Sequence, residues 1–446
     1  MIRRVLVANR GEIAVRIVRA CRTLGLECVV AASEVDMDGM AARLADRAVC
    51  IGPSPPGESY LRPETIVQAA LGTGCDAIHP GYGFLAENQR LASLAHDRAV
   101  TFVGPPAEVI GLAGDKLRSR HEAVEAGLPV VPGGEVVSLQ VAHKFAEQAG
   151  YPLLLKAAGG GGGRGIKLAS DADELAALFG LAAAEARSAF GDARLYVERF
   201  VQAARHVEVQ VAADEHGSTI HLGERDCSVQ RRYQKLIEEA PAPFLPAETI
   251  EALHAAAVAL ASAIGYRNLG TVEFVVDAAT GEFFFLEVNC RIQVEHPVTE
   301  AVTGRDLVAE QLRIAGGEPL SLGQEDARLS GHAIECRLTA EDVSNGFMPS
   351  PGRVTRFAVP ELDGLRVDTH CETGTLIPPH YDSLMAKLIG HAGDRETALE
   401  LLLEALEGLE VEGVETNGAL LATVLAHPDF ATGAVTTRWL EEAIAA

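Results

Sequence analysis

Through the first quarter of the chain, short β-branched runs alternate with stretches of helical spacing. Residues 4–8, 28–32, 48–51, 76–79 and 100–103 are strand-like, and residues 11–24, 38–45, 63–71 and 87–97 read as amphipathic helices. Alternating strands and helices predict a parallel sheet covered on both faces. In the first helix Ile13, Ile17, Cys21 and Leu24 make the buried stripe, which leaves Arg16 and Arg19, three apart, on another face as solvated charges. The first strand-to-helix turn, Ala8-Asn9-Arg10-Gly11-Glu12, has no GxGxxG, which argues against a nicotinamide site. His79 to Phe84 (HPGYGF) follows a strand and reads as a turn.

The pattern changes after Lys116, which begins a helical stretch closed by Gly127, Leu128 and Pro129. Residues 151–158 (YPLLLKAA) form a strand, residues 159–165 are six glycines and an arginine, and residues 166–168 return to a strand. Gly160, Gly162 and Gly165 satisfy GxGxxG formally, but a dinucleotide loop opens a helix, and there is no Gly-Lys-Ser/Thr of a Walker A loop. Strand, glycines, strand describes a hairpin lid whose amides can fold over phosphates, with Lys156 adding a point charge. Residues 205–211 alternate in period two and put His206, Glu208 and Gln210 on one face, either a wet face or part of a ligand shell.

Residues 281–300 (GEFFFLEVNCRIQVEHPVTE) carry the most chemistry. An apolar run at 283–286 leads into alternation that predicts one extended strand as far as Glu295, with Glu287, Asn289, Arg291, Gln293 and Glu295 on one face. A strand over 270–277 precedes it across a short turn, so a hairpin brings Glu273 roughly opposite Glu287. Facing carboxylates beside an asparagine oxygen suit a hard cation such as Mg²⁺. Alternation alone fits a solvated strand face better, and the rest of the chain is what supplies partners for a site. Upstream, residues 224–243 concentrate Arg225, Arg231, Arg232 and Lys235, the local positive charge that an anionic substrate requires, although Arg231 or Arg232 individually also fits a basic surface turn. Past Val302 a helix is expected to 314, then a strand over 332–338 carrying Arg337, a turn at 349–352, and short strands mixed with helices such as 396–406.

Composition narrows the partners. The chain has 446 residues, enough for two to four domains, and 48% of them are hydrophobic. A net charge of -24 excludes nucleic acid and an anionic membrane as main partners. The eight cysteines form no CxxC or Cys/His cluster, no apolar run reaches membrane length, and the N-terminus is no secretion signal, so a cytoplasmic protein is expected.

Taken together, ANRGEIAVRIVRAC, HPGYGFLAEN, GDK, KAAGGGGGRGI, RHVEVQV, ERDCSVQRRYQK, EEAPAP, EVNCRIQVEHPVTE, AIECRLTAED, PSPG and PPHYDS make the chain resemble the biotin carboxylase family over nearly its whole length. The resemblance implies a multidomain α/β and α+β fold. Residues 1–114 would form a Rossmann-like parallel-sheet domain, 115–325 an ATP-grasp domain with a mobile lid at about 131–203, and 326–446 an α+β C-terminal lobe. It places ATP among Lys116, Lys156, Gly162, Gly163, Glu198, Arg199, Phe200, Val201, His206, Gln230, Tyr233, Glu273 and Glu287. Glu273, Glu287 and Asn289 would hold Mg²⁺ or Mn²⁺, with two ions expected. Bicarbonate would lie on Lys235, Arg291, Gln293 and Val294, with Glu295 as its base and Arg337 at biotin.

The reaction implied is ATP-dependent carboxylation of biotin on a biotin carboxyl carrier protein, acting with carboxyltransferase subunits, most simply within acetyl-CoA carboxylase. The same chemistry serves other acyl-CoA, pyruvate or urea carboxylases. A different ATP-grasp ligase, or a nucleotide-binding scaffold without catalysis, is the competing reading. Tyr233 stands where the family usually has a histidine near the nucleotide, a departure in which a phenol can still stack or donate. Family members are commonly homodimers, and Arg16, Arg19 and Arg366 match the dimer surface. With no Met-Lys-Met biotinylation motif, the carrier is expected on another polypeptide.

Overall fold

Five short strands make the first sheet: β1 (Arg4–Val7), β2 (Glu27–Ala32), β3 (Arg47–Cys50), β4 (Ala77–His79) and β5 (Thr101–Phe102). Their order is β3-β2-β1-β4-β5, and every pairing is parallel. This computed structural model describes residues 2–157, 166–191 and 193–445. Val5, Leu6 and Val7 of the central strand are wholly buried because both faces of the sheet are covered, which is why such strands read as unbroken apolar runs. Helix Gly11–Thr23 buries Ile13, Ile17 and Cys21 as expected and joins a core that includes Leu307, Val308 and Leu312.

Arg16 is not a solvated charge. It is 6% exposed and meets Glu300 at 2.6 Å and Asp306 at 2.5 Å, while Arg19 remains exposed. Arg366 meets the same Glu300 and Asp368, each at 2.7 Å. Periodicity placed Arg16 off the apolar stripe correctly, but the second face of this helix is buried by another part of the chain.

A separate antiparallel sheet of β6 (Gly133–Val136), β7 (Leu153–Ala157), β8 (Lys167–Ala169) and β9 (Leu195–Arg199) runs in the order β6-β9-β7-β8. Leu153, Leu155 and Val197 pack inward on their own small core with Leu175 of helix Ala172–Phe190. Lys156 therefore projects to the opposite face of β7. Gly162 and Gly163 lie outside the described residues.

The main sheet contains β10 (Ala204–Ala213), β11 (Thr219–Arg231), β12 (Gln234–Ala240), β13 (Asn268–Asp277), β14 (Phe283–Asn289) and β15 (His332–Thr339), with two further strands, Leu365–Thr369 and Leu384–Ala392. It is antiparallel throughout, ordered β14-β13-β10-β11-β12-β15 and then Leu384–Ala392 and Leu365–Thr369. The pairing of β12 with β15 carries the sheet across residue 325 without a break.

Two local expectations change. The strand predicted to reach Glu295 ends at Asn289, and residues 290–295 form a turn into helix His296–Thr303. The amide of Cys290 donates to Glu87 instead of to a neighbouring strand, and Pro297 occupies the first helical turn. The helix expected from 302 is instead two helices, His296–Thr303 and Leu307–Ala315, separated at Gly304, where φ is +65°, and restarted by Asp306 capping Ala309. Among the described residues no helix is long and apolar enough to cross a membrane.

Candidate active site

The register of four strands sets three carboxylates side by side. Glu208 of β10 pairs with Glu273 of β13, which pairs with Glu287 of β14, while Arg225 of β11 faces Glu208 from the other side. Like charges directly opposite across a sheet repel, so this row stands only because cations offset it. Arg225, wholly buried, donates from Nε to Glu208 at 2.6 Å and from its other nitrogens to Gln210, Thr299 and Thr271. The face carrying His206, Glu208 and Gln210 is thus interior and not wet.

Lys235 of β12 ties the row to the turn. Its Nζ donates to Glu208 at 2.6 Å, Glu273 at 3.1 Å and Glu295 at 2.6 Å. Burial disfavours the ammonium, but the three carboxylates raise its pKa well above the ordinary value. Glu295 is itself 0% exposed and takes Lys235 on one oxygen and Arg337, at 2.9 Å, on the other. Burial works against its ionisation, yet Lys235, Arg337 and Arg225 hold its carboxyl well below the usual range. Arg337 also donates from Nε to Glu238 at 2.6 Å.

The turn collects the side chains that alternation had assigned to one strand face. Arg291 donates to Gln293 at 2.8 Å and Asn289 at 3.2 Å, and its Nε reaches Glu87 at 3.1 Å. Asn289 and Gln293 donate to the same oxygen of Glu273, at 2.8 and 3.2 Å. The expected grouping of Glu273, Asn289, Arg291, Gln293 and Glu295 therefore holds, although a turn builds part of it. The basic cluster does not hold: Arg225 is in the core, Lys235 is in the site, and Arg231 stacks 3.8 Å over Phe347 with its donor on Gly346.

Glu287 is the end of the acidic row. Among the described residues its carboxylate makes no hydrogen bond. Burial and the charge of Glu273 raise its pKa, offset by Lys116 at the start of helix Lys116–Glu125. Glu273 itself is held low against burial by Lys235 and by His206, whose Nε2 lies 2.9 Å away. A half-buried carboxylate with no donor, beside an ionised one and an asparagine, is a donor set fitted to a divalent cation.

Lys156 pairs with Glu198, and Arg199 lies 5.4 Å over the Phe284 ring. Phe200 lies under Arg438 at 5.7 Å, and Val201 is buried. Gln230, also buried, is directly opposite Lys235 in the β11–β12 ladder. Tyr233 is 56% exposed on the tight turn between those strands, where Arg232 and Tyr233 both have positive φ, +47° and +66°.

Family models match almost the entire chain: "Biotin carboxylase, N-terminal domain" over residues 1–110, "Carbamoyl-phosphate synthase L chain, ATP binding domain" over 115–322 and "Biotin carboxylase C-terminal domain" over 335–442. Biotin carboxylase 1 of Bacillus subtilis is 48% identical over 443 residues, 99% of this chain and 98% of that protein. The chain belongs to the biotin carboxylase family. It is accordingly an ATP-grasp ligase, an ATP-dependent carboxylase subunit. Among biotin carboxylase structures, the Campylobacter jejuni enzyme in a β,γ-ATP complex superposes with a TM-score of 0.96 at 42% identity, covering 99% of each chain. The biotin carboxylase domain dimer of Hydrogenobacter thermophilus 2-oxoglutarate carboxylase, in complex with MgADP, ADP and bicarbonate, gives 0.94 at 46%, covering 99% of this chain and 98% of that one.

Four further residues complete this biotin carboxylase site: Glu208, which the sequence offered only as part of a possible ligand shell, and Glu87, Glu238 and Lys387, to which it gave no role. Glu208 was legible as a neighbour of His206 on a strand face. Lys387, wholly buried, donates to the Val294 carbonyl at 3.0 Å and pairs with Glu12 at 3.0 Å. A lysine inside the apolar run Met385 to Ile389 was the available signal. Glu238 and Glu87 had none, because their partners come from distant segments.

Proposed function

We propose that the chain uses ATP and bicarbonate to carboxylate biotin on a separate carrier protein, as the first half-reaction of acetyl-CoA carboxylase. The observation that supports this best is the convergence of Lys235 and Arg337 on Glu295, with Arg291 close enough for its charge to be favoured by the same carboxylate. Three fixed cations around one buried acid suit a small dianion and a charge that develops during reaction.

In this reading Lys116, Lys156, the amides of Gly162 and Gly163, Glu198, Arg199, Phe200, Val201, His206, Gln230 and Tyr233 bind ATP. Arg291, Lys235, Gln293 and the Val294 N–H hold bicarbonate. Glu295 takes its proton; the freed oxygen attacks the γ-phosphorus, and the bond to the β-phosphate oxygen breaks, giving carboxyphosphate and ADP. Carboxyphosphate separates into CO₂ and phosphate, the phosphate takes the N1′ proton of biotin, and N1′ attacks CO₂. Arg337 stabilises the negative ureido oxygen. Glu295 is a weak base while Lys235 and Arg337 are both on it, and bicarbonate, by sharing Lys235, raises its proton affinity. Mg²⁺ or Mn²⁺, as two ions, would be held by Glu273, Glu287 and Asn289 and would neutralise charge on the transferred phosphoryl group.

The domain division at about 114 and 325, with a lid over 131–203, belongs to this reading. So do a cytoplasmic location, a role in malonyl-CoA formation and fatty acid synthesis, a biotin carboxyl carrier protein with carboxyltransferase partners, and a homodimer using exposed Arg19 beside Arg366. A second acceptor reading, a 2-oxo acid, is favoured by the closeness of the 2-oxoglutarate carboxylase domain. The decisive assay is bicarbonate-dependent phosphate release from ATP stimulated by free biotin, followed by identification of the co-purifying biotinylated carrier and its carboxyltransferase. A different ligase would need another substrate, and a scaffold would release no phosphate.

A further inference from the structure

Both carbonyls that flank the Val294 amide are held by wholly buried side chains. His296 Nδ1 lies 2.7 Å from the Gln293 carbonyl oxygen, and Lys387 Nζ lies 3.0 Å from the Val294 carbonyl oxygen. A carbonyl oxygen can only accept, so the imidazole carries its proton on Nδ1. The Gln293 carbonyl and the Val294 N–H belong to one planar peptide group and point in opposite directions. Fixing the oxygen therefore fixes where the N–H aims, and a hydrogen bond to that oxygen polarises the N–H.

The surroundings keep the ring in this form. Its Nε2 is buried without a hydrogen bond, 3.9 Å from Glu300. Burial, with Lys387, Arg16 and Arg366 nearby, pulls its pKa well below the ordinary histidine value. The only other donor close to the Gln293 oxygen among the described residues is the backbone N–H of His296 itself, at 3.4 Å.

We propose that His296 is a positioning residue for the carbonate subsite, aiming the Val294 N–H through the Gln293 carbonyl, with Lys387 securing the next peptide group. This rests on the reading that the Val294 amide holds bicarbonate. It adds a reason why this turn, with no strand partner of its own, presents a fixed donor.

The test uses the full chain with His296→Leu, His296→Asn, Lys387→Met and, as a control, Arg291→Ala. Loss of the aimed donor in His296→Leu raises KM for bicarbonate about tenfold while KM for ATP stays within about twofold. His296→Asn, whose side-chain N–H can replace Nδ1–H, recovers most of that loss. Lys387→Met moves KM for bicarbonate in the same direction. A leucine variant with a lowered Tm but wild-type bicarbonate KM overturns the inference and leaves His296 a structural residue. If Arg291→Ala also leaves that KM unchanged, the carbonate reading itself has failed. Should the leucine variant not fold, ¹⁵N spectra of histidine-labelled wild type decide: a neutral Nδ1–H ring from about pH 6 to about pH 9 supports the assignment, and an Nε2–H or charged ring overturns it.

Discussion

Arg337 Nε lies 2.6 Å from Oε1 of Glu238, so the arginine proposed to meet biotin is aimed by a carboxyl whose own ionisation is finely set. Burial raises Glu238 to about 7, against the pull of Arg337. Ionised Glu238 holds the guanidinium, and protonated Glu238 releases one of its two anchors.

Carboxylation should accordingly fall as pH drops through about 7, and Glu238→Gln should lose that limb of the kcat profile. For stability the sign is opposite. A carboxyl raised in the folded state stabilises fully below the usual carboxylate range, and that contribution is lost as pH rises through about 7. Thermal melts at about pH 5 and about pH 8 should therefore show a smaller drop in Tm for Glu238→Gln than for wild type. Parallel drops would remove Glu238 from this role.

Arg291→Ala and Arg337→Ala should each lose about a hundredfold in biotin-dependent carboxylation, the usual effect of removing a donor that meets developing charge. Arg291 lies in the turn outside the sheet, so Arg291→Ala should keep a Tm near wild type, whereas Arg337→Ala leaves buried Glu238 and Glu295 each short of a cation and should lower Tm while the circular dichroism spectrum stays folded. Unchanged turnover in either variant would withdraw its assignment.

Lys235→Gln should destabilise the fold as well as inactivate it. It leaves Glu208, Glu273 and Glu295 short of a shared cation in the interior, and breaking a buried ion pair typically costs about 3–5 kcal/mol. Adding Glu295→Gln should restore part of the stability without activity, because the two sites are in contact and their effects do not add. Denaturant titration of both single variants and the double variant measures this coupling.

Glu287→Gln should weaken the response to divalent cation. In wild type, Mg²⁺ with ADP should raise Tm above the value with ADP alone, and chelation should reverse the rise. The variant should need a higher Mg²⁺ concentration for the same shift.

The sequence showed the parallel sheet, the hairpin pairing Glu273 with Glu287, and the residue types of the pocket, because strand period and turn length are local properties. It did not show that the strand stops at Asn289, since alternation of polar and apolar residues continues into a turn held by Glu87 from 203 residues away. It offered a surface turn for Arg231 but could not show that Arg225, on the same strand, is interior, because only cross-strand partners bury it. Arg16 failed for the same reason, as its two acids are contributed by residues 300 and 306.

The ladder joining β12 to β15 has a consequence for dissecting the molecule. Glu238 and Arg337, which must meet, lie on either side of the proposed division at residue 325, yet on adjacent strands of one hydrogen-bonded framework. Two polypeptides produced by splitting the gene there would each expose a raw strand edge along the middle of the sheet. They should aggregate or remain inert when expressed apart, and recover activity only when made together in the same cell.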